Sequence, residues 1–527
     1  MKFRSRLTRR MLFPIFSLFI SIGLTLPAQP ASAQRANDTI IIATEAEVPN
    51  LDPGQLVGLH SARPMRLIIE TLVAPKPTTT ELEPRLATSW SVSGNGLEWT
   101  FKLRPDVKFH DGTPFNAQAV KYTLDRVLDP KHPASKWGTW SFVRGYLAPV
   151  KEVVVVDPLT VKFVLKFPNA TFLTYLAMPN LGIISPAAQE KLKSGFAATP
   201  VGTGPYQFSG WQRGVKLTLT RNEKYWGPKG KAKTIIFRPI PEDQTRVAEL
   251  LSGGVDVITN VVPDALDLLK KNPSTSVIRQ PGLTIWYVAL NTKKKPFSDV
   301  RVRRALNYAV DRQAIVRDVL KNTGEAATQF VPPASWGYAP DARKYAYDPA
   351  RAKALLAEAG YPNGFSTTFW VPDSGSGMQL PKEMATVIQA NLASVGVKAK
   401  IEIFEWGSYF GKLRKERADM AAFSWFLKSE DPDIGLFPMI NSVTSPFPNL
   451  AQYQNPEVDK LFLEGRAATD IAKRKPIYQK IVKILNEDAP HLIVDHQVEI
   501  VGIRSNVKGL TVNPDGYSLG LETAYHQ

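Results

Sequence analysis

The chain has 527 residues, of which 44% are hydrophobic and 10% aromatic, and its formal net charge is +17. That length is too great for one compact core, so at least two lobes are expected, and the composition is typical of a well-packed globular protein rather than a disordered one. Because the chain contains no cysteine, disulfides, thiolate metal sites, cysteine nucleophiles and a lipid-bearing cysteine are excluded.

The first 33 residues have the organisation of a cleaved export signal. The first ten residues contain five basic residues and no acid. An apolar run follows at 11–26, and the small residues ASA at 31–33 form a cleavage site. A membrane anchor is the alternative, but the run is short for a span of about 20 residues. We predict residues 1–33 to be a signal peptide and the mature protein to be periplasmic. Removal of five positive charges and no acid would leave a net charge of +12.

The positive charge of the remaining chain is scattered, as in KKK at 293–295 and RVRR at 301–304. A scattered distribution is typical of a solvated surface rather than of a nucleic-acid footprint, so no nucleic-acid partner is expected. A basic surface would nevertheless steer acidic solutes toward a cleft.

The first part of the chain is dominated by strand patterns. TIIIAT at 39–44 predicts a buried strand, and LEWTFKL at 97–103 alternates as a half-buried strand does. Residues 150–167 predict a hairpin that turns at Asp157-Pro158. Further strands are expected at 216–222 and 233–240.

Helices become prominent after residue 299. Residues 299–320 carry one apolar face, and residues 348–360 have Asp348 at the cap, Pro349 in the first turn and Gly360 after the end. A third helix at 379–396 leads into an alternating strand at 397–406. This strand–helix–strand order predicts an α/β layer with a sheet at its centre.

No pattern assembles catalytic chemistry. The six histidines include no HExxH pair, and neither a GxSxG elbow nor a P-loop is present. FHDGT at 109–113 allows a metal-dependent hydrolase as an alternative, but Asp111-Gly112 favours a structural turn. Gly202 and Gly204 in VGTGPY do not form a phosphate loop. We therefore predict a binding protein rather than an enzyme, with no metal site and no cofactor.

Several segments, in this order, resemble the peptide/nickel/opine family (family 5) of extracytoplasmic solute-binding proteins that serve ABC importers. The longest is LEPRLATSWSVSGNGLEWTFKLRPDVKFHDGTPFNAQAVKYTLDRV at 82–127. The shorter ones are VGTGPYQF at 201–208, NEKYWG at 222–227, NTKKKPFSDVRVRRALNYAVDRQAIV at 291–316, YDPARAKALLAEAGYPNGF at 347–365, VGVKAKIEIFEWGSYF at 395–410 and DPD at 431–433. The chain is most similar to the dipeptide- and oligopeptide-binding branch.

The resemblance implies a two-lobed α/β periplasmic binding protein fold of the large type, with a hinge between the lobes and an extra domain on one of them. Lobe I is expected at 34–76, 197–290 and 497–527, the extra domain at 77–196 and lobe II at 291–496. Two segments would cross between the lobes, and the solute would shift a balance between open and closed states. FHDGTPFNAQAVKYTLDRV at 109–127 is expected to be scaffold, with Asn116 capping a helix.

The resemblance also points to the segment WFLKSEDPD at 425–433. In peptide-binding relatives an aspartate three residues before the acidic-Pro pair holds the ligand's ammonium group, and the matching position here is Lys428. An arginine that holds the ligand's carboxylate in dipeptide binders matches Gly375. An ammonium facing the Lys428 ammonium would cost several kcal/mol, so an anionic or hydroxylated solute is expected to suit this site better.

Other positions are assigned to the site with less support from the resemblance. Trp406 and Trp425 match positions that line side-chain pockets in relatives, although core packing is the alternative for both. Lys428 could instead pair with Glu430 or Asp431, and Asp431 and Asp433 are expected to be loop caps or contacts between lobes. The remaining predicted ligand contacts are Ser374, Ser376 and Gln379, and, in the loop after the first strand, His60, Ser61 and Arg63.

These patterns predict a monomeric receptor that captures a small peptide-like, opine-like or other polar or anionic solute and delivers it to an ABC permease in the inner membrane. Binding of a metal chelate, as in nickel-binding relatives, is one alternative. A secreted hydrolase on the same scaffold is the other.

Overall fold

The computed structural model describes residues 38–527, apart from 57, 376, 428, 446 and 469. The predicted signal peptide therefore lies outside the described residues. The strands in this part of the chain are Thr39–Thr44 (β1), Val73–Pro75 (β2), Leu82–Pro84 (β3), Ala87–Val92 (β4), Glu98–Leu103 (β5), Val150–Asp157 (β6), Thr160–Leu165 (β7), Tyr206–Gln212 (β8), Lys216–Arg221 (β9), Thr234–Pro239 (β10), Val257–Ile258 (β11), Thr275–Leu290 (β12), Gly324–Ala326 (β13), Phe365–Pro372 (β14), Val397–Phe404 (β15), Met420–Phe426 (β16), His491–Arg504 (β17), Val507–Lys508 (β18) and Tyr525–His526 (β19).

The α-helices in the same part of the chain are Leu59–Ile68 (α1), Ala117–Leu128 (α2), Ser141–Leu147 (α3), Phe172–Leu176 (α4), Pro186–Leu192 (α5), Asp243–Ser252 (α6), Leu266–Lys271 (α7), Val300–Ala309 (α8), Arg312–Ala314 (α9), Pro349–Glu358 (α10), Pro381–Ser394 (α11), Trp406–Lys415 (α12), Pro432–Ile440 (α13), Pro456–Ala467 (α14) and Ile471–Asp488 (α15). Within the described ranges, none of these helices has the length and apolar character that crossing a membrane requires.

One large sheet organises the molecule, with the strand order β15-β14-β16-β12-β17-β11-β1-β10-β9-β8. We call β11, β1, β10, β9 and β8, with the segments that pack on them, the first half, and β16, β14 and β15, with the segments that pack on them, the second half. Strand β1 is parallel to β10 and β11, and β14 is parallel to β15 and β16. The mixed α/β architecture predicted from the sequence is confirmed.

The long strands β12 and β17 join the two halves. They pair antiparallel from Thr275 with Arg504 to Ala289 with His491, and the register shifts between Pro281 and Ile285. One end of this two-stranded ribbon contacts β11 and the other contacts β16. The ribbon therefore belongs to both halves.

Both faces of the second half are covered. Trp286, Val288 and Leu290 of β12 lie in one buried core with α8 and α11, whereas their neighbours Ile285 and Tyr287 lie in another core with α14 and α15. Successive side chains of a strand point to opposite faces, so this alternation places a core on each side of the sheet. A sheet covered on both faces is the arrangement expected for parallel strands.

A four-stranded sheet, β4-β5-β7-β6, forms a separate layer with α2 and α3. Its hairpin β6–β7 and the Asn116 cap of α2, which accepts a hydrogen bond from the Ala119 amide at 3.0 Å, confirm the sequence predictions. Buried Arg126 of α2 donates to both carboxylate oxygens of Asp52, at 2.8 and 2.9 Å. This ion pair attaches the layer to the segment that follows β1.

The two motifs that suggested chemistry are structural. Asp111 accepts a hydrogen bond from the Thr113 amide at 3.0 Å, which is typical of a turn. It also accepts one from Ser185 Oγ at 2.5 Å, which fixes the turn to a distant part of the chain. A Cβ atom at Gly202 would lie 2.2 Å from the Ile68 carbonyl oxygen, and one at Gly204 would lie 2.2 Å from the Leu67 carbonyl oxygen. VGTGPY therefore requires glycine because it passes against the end of α1.

The helix predicted at 299–320 is interrupted, which corrects the sequence interpretation. Helix α8 ends at Ala309, Val310 is extended, and Asp311 starts α9 by accepting a hydrogen bond from the Ala314 amide at 2.9 Å. The apolar period continues across the break because both helical segments face the same core.

Candidate functional site

The main cleft, with a volume of about 600 Å³, lies where strands of both halves of the sheet end. Residues 45–49 follow β1, residues 241–243 follow β10 and residues 260–263 follow β11. From the second half, residues 373–383 follow β14, and α12 follows β15. In open α/β sheets the carboxyl ends of parallel strands are where ligands bind.

Two walls face each other across this cleft. We define the first wall by the lining residues that come from the first half and from α1, which are Glu45, Ala46, Glu47, Pro49, His60, Pro241, Asp243, Asn260, Val261, Val262 and Pro263. We define the second wall by the lining residues that come from the second half, which are Asp373, Ser374, Gly375, Met378, Gln379, Leu380, Pro381, Lys382, Glu383, Trp406, Phe410 and Arg414.

The first wall is built on buried charge. Glu45 Oε2 accepts a hydrogen bond from Thr259 Oγ1 at 2.9 Å and lies 3.7 Å from Nη1 of Arg63. Burial opposes ionisation of Glu45, but electrostatic interactions with Arg63 and His60 and the hydrogen bonds to the carboxylate together hold the pKa of that carboxyl below its ordinary value. Burial lowers the pKa of His60, so its imidazole is neutral at neutral pH. The first wall therefore presents a carboxylate beside an uncharged imidazole.

The second wall is aromatic and carries both signs of charge. The Trp406 ring lies under Gly375, where a Cβ atom would come within 2.7 Å of the ring. Trp406 also stacks near Phe423, with ring centroids 6.2 Å apart. Arg414 lies over the rings of Phe410 and Phe447, at 4.7 and 5.3 Å. Flat rings beside a few polar groups are typical of ligand pockets.

A second cavity of about 350 Å³ adjoins the main cleft at Arg414. We call it the aromatic cleft because Tyr146, Tyr175, Trp425, Phe437 and Phe447 line it. Tyr146 and Tyr175 come from the layer around the four-stranded sheet and the other three rings from the second half. Trp425 therefore lines the aromatic cleft and not the main cleft.

Two of the three acidic residues of the segment 425–433, Asp431 and Asp433, form ion pairs with arginines. Asp431 caps α13 through the Asp433 amide and accepts hydrogen bonds from both terminal nitrogens of Arg474, at 2.5 and 3.0 Å. Burial raises the pKa of Asp431, although Arg474 opposes this shift. Asp433 accepts from Arg466 at 2.8 Å and from Tyr478 at 2.5 Å. Asp431 therefore caps a helix, as predicted, and Arg466 also donates to Tyr175 at 3.1 Å.

The structure brings half of the predicted site residues together. His60, Ser374, Gly375, Gln379 and Trp406 all line the main cleft. Lys428 and Ser376 lie outside the described residues, so their roles stay predictions.

Ser61 and Arg63 do not line the main cleft and are buried in α1. The expectation that 60–63 form a loop is wrong, because Gly58, with a φ of 79°, starts the helix directly before them.

Sequence reasoning missed several residues of both walls, notably Glu45, Glu47, Asp243 and Arg414. A usable signal was present, since TEAE at 44–47 places two glutamates directly after the first predicted strand. The other positions required knowledge of which strands are neighbours.

The described ranges contain no cluster of three or more histidine, aspartate or glutamate side chains that could hold a metal ion.

The comparisons with known proteins agree with this architecture. The family model of the bacterial extracellular solute-binding proteins, family 5, matches residues 81–446. Heme-binding protein A of Haemophilus influenzae is 35% identical over 510 residues, covering 93% of each chain. The dipeptide-binding protein of Escherichia coli is 33% identical, covering 94% of this chain and 96% of that protein.

Among solved structures, the periplasmic binding protein DppA from Helicobacter pylori in complex with the peptide STSA superimposes with a TM-score of 0.84 at 31% identity. The match covers 93% of this chain and 98% of that one.

Proposed function

Since the chain belongs to the bacterial extracellular solute-binding proteins of family 5, we propose that it is a periplasmic receptor that captures a small polar solute in the main cleft and passes it to an ABC permease. The observation that carries this proposal is the cleft itself. Its volume of about 600 Å³ falls among those of small-molecule sites, which span roughly 300–1,000 Å³, and its walls come from both halves of the sheet.

The solute we propose is peptide-like or another small compound with an acidic group. The relatives reported above bear names that refer to heme, dipeptides or a bound tetrapeptide. Asp431 and Asp433 are both bound to buried arginines, so neither offers a free carboxylate to an ammonium group. The other charged residues of this segment are Lys428 and Glu430, and we propose that Lys428 receives a negative group of the solute.

The functional test is recovery of the natural solute. The protein would be purified from the periplasm without denaturation, and the bound compound would be identified by mass spectrometry. We expect a small organic compound that rebinds unchanged after incubation with the protein. A chemically altered product would instead support the hydrolase alternative, and a nickel chelate would support the metal-binding alternative.

We expect Lys428→Ala to weaken binding of an acidic solute by about 1–3 kcal/mol, because a charge-assisted hydrogen bond to a carboxylate would be lost. Isothermal titration calorimetry with the recovered solute measures the difference. The matched control is Lys460→Ala, which removes the same charge from a side chain of α14 that is 77% exposed. Equal affinities of the two variants would assign Lys428 to solvent or to an ion pair with a neighbouring acid.

A further inference from the structure

We propose that the first wall of the main cleft binds a cationic nitrogen of the solute, with Glu45 as its counter-ion and His60 beside it. This proposal rests on the proposed function and names the part of the solute that the first half of the sheet recognises. If Lys428 receives the acidic group, the solute carries both charges, and its amine is held by the first wall.

The charge of the first wall points to a cation. Three carboxylates line it, those of Glu45, Glu47 and Asp243, whereas the two basic side chains that line the described part of the cleft, Lys382 and Arg414, both belong to the second wall. The second wall also carries Asp373 and Glu383 and is therefore mixed. A solute with one positive end gains favourable interactions with the cleft when that end faces the first wall.

The Glu45 carboxylate is only partly neutralised by the protein. Arg63 is the cation paired with it in the described part of the chain, and the distance of 3.7 Å exceeds that of a hydrogen bond. The same guanidinium is shared with Glu499, which lies 3.7 Å from its other terminal nitrogen. One arginine between two carboxylates leaves negative charge at the surface of the cleft.

The second, independent observation is the imidazole of His60. This side chain lines the cleft, yet the residue is only 7% exposed. Its Nδ1 atom has no hydrogen-bond partner in the described ranges. A buried polar atom without a partner is costly unless a ligand satisfies it. A neutral imidazole with a free ring nitrogen can accept a hydrogen bond from an ammonium group without repelling its charge.

Glu47, the third side chain of the proposed cation site after Glu45 and His60, is held in a fixed position by hydrogen bonds. Its carboxylate accepts hydrogen bonds from Trp211 Nε1 at 2.8 Å and from the Gly214 amide at 3.2 Å. Asp243 is also fixed, by an ion pair with Arg246. The negative wall is therefore organised before the solute arrives, which reduces the entropic cost of binding.

The first arm of the test blocks the amine of the solute and uses the unaltered protein. Calorimetry would compare the peptide STSA, the dipeptide Ala-Leu and the recovered natural solute with their N-acetylated forms. We expect acetylation to weaken binding about 10- to 100-fold, the range that loss of a charge-assisted hydrogen bond produces. Equal binding of a free and an acetylated form would overturn the proposal, as would a natural solute without a basic nitrogen.

The second arm repeats the comparison with Glu45→Gln, which keeps the shape of the side chain and its acceptor for Thr259. We expect this variant to lose most of the discrimination against acetylated solutes while binding those forms as the unaltered protein does. A purely structural role of Glu45 would weaken both forms alike and would overturn the proposal. The charge control is Glu152→Gln at an exposed position of β6, which should keep the full discrimination.

The two arms separate failure of this proposal from failure of the proposed function. If no compound of the panel binds and no solute is recovered, the receptor function is wrong and this proposal fails with it. If solutes bind but acetylation has no effect, the receptor function stands and only the cation site is wrong. If Glu45→Gln does not fold, the comparison of free and acetylated solutes on the unaltered protein still tests the cation site.

Discussion

Asp433→Ala is expected to lower the free energy of unfolding by about 3–5 kcal/mol, because it leaves the buried guanidinium of Arg466 without its counter-ion. The Asp433 side chain is fully buried and accepts three hydrogen bonds from Arg466 and one from Tyr478. Burial opposes the charge of Arg466, but Asp433 outweighs it and raises the pKa of that guanidinium above its ordinary value. The arginine therefore stays charged in the folded protein.

The consequence of that substitution extends beyond α13. Arg466 also donates to Tyr175, and its carbonyl oxygen accepts a hydrogen bond from the Ala170 amide at 2.9 Å. These contacts connect α14 of the second half with the layer around the four-stranded sheet. Loss of the ion pair should therefore weaken that connection as well as the start of α13.

Thermal and urea denaturation, followed by circular dichroism, would measure the effect of Asp433→Ala. The matched control is Lys480→Ala, which breaks an ion pair with Glu457 in which both side chains are 56% exposed. Exposed pairs contribute about 0–1 kcal/mol, so this control should change stability little. If Asp433→Ala destabilised the protein no more than Lys480→Ala, the ion pair would not be a stabilising contact.

Asp495→Asn is expected to stabilise the folded protein at pH 7 by about 3–5 kcal/mol. Asp495 lies in β17 opposite Trp286, is 0% exposed, and neither carboxylate oxygen has a hydrogen-bond partner in the described ranges. Burial alone raises the pKa of Asp495 from 3.8 to about 8. The folded protein therefore binds a proton at neutral pH that the unfolded chain has released.

The sign of the pH dependence follows from these two pKa values. Below about pH 4 both states are protonated, so the contribution of Asp495 to stability is fully present. As the pH rises from about 4 to about 8, the unfolded chain ionises while the folded protein does not, and the contribution is lost by about 1.4 kcal/mol per pH unit. The gain from Asp495→Asn should therefore grow across this range and level off above it.

Denaturation of the unaltered protein and of Asp495→Asn at pH 5, 6, 7 and 8 would measure that growth, since titration of the other groups cancels in the difference. Asp106→Asn is the control, because it makes the same change at an exposed turn where φ is 60°, which asparagine adopts readily. That control should change stability by less than about 0.5 kcal/mol at every pH. A pH-independent difference for Asp495→Asn would contradict its burial in the neutral form.

Local patterns in the sequence predicted much of the fold. The strand at 39–44, the hairpin at 150–167 and the capped helix at 348–360 are formed where alternation, turn chemistry and helix caps placed them. The break in the segment 299–320 was missed because the hydrophobic period is the same on both sides of Asp311. Only the cap, with its side chain bonded to the Ala314 amide, distinguishes two helices from one.

The candidate site was less predictable, because it depends on which strand ends meet. Glu45 follows β1, whose partners β10 and β11 lie about 200 residues later in the chain. No local pattern records that pairing, and the resemblance to a family drew attention to Lys428 and Gly375 instead. His60 lines the main cleft, and its position depends on α1, which Gly58 starts.

The ribbon of β12 and β17 has a consequence for transport. Its ladder is regular up to Pro281, which has no amide hydrogen, resumes at Ile285 in a different register, and shifts once more between Trp286 and Tyr287. The interval between Pro281 and Ile285 is therefore the part of the ribbon with the fewest interstrand bonds to break. A rocking movement of one half against the other would concentrate its torsion there and leave the regular ladder from Thr275 to Pro281 intact. Solute release would then break few bonds within the ribbon, and its energetics would depend on the contacts across the cleft and on the bonds that Leu283 makes with Pro514 and Leu427.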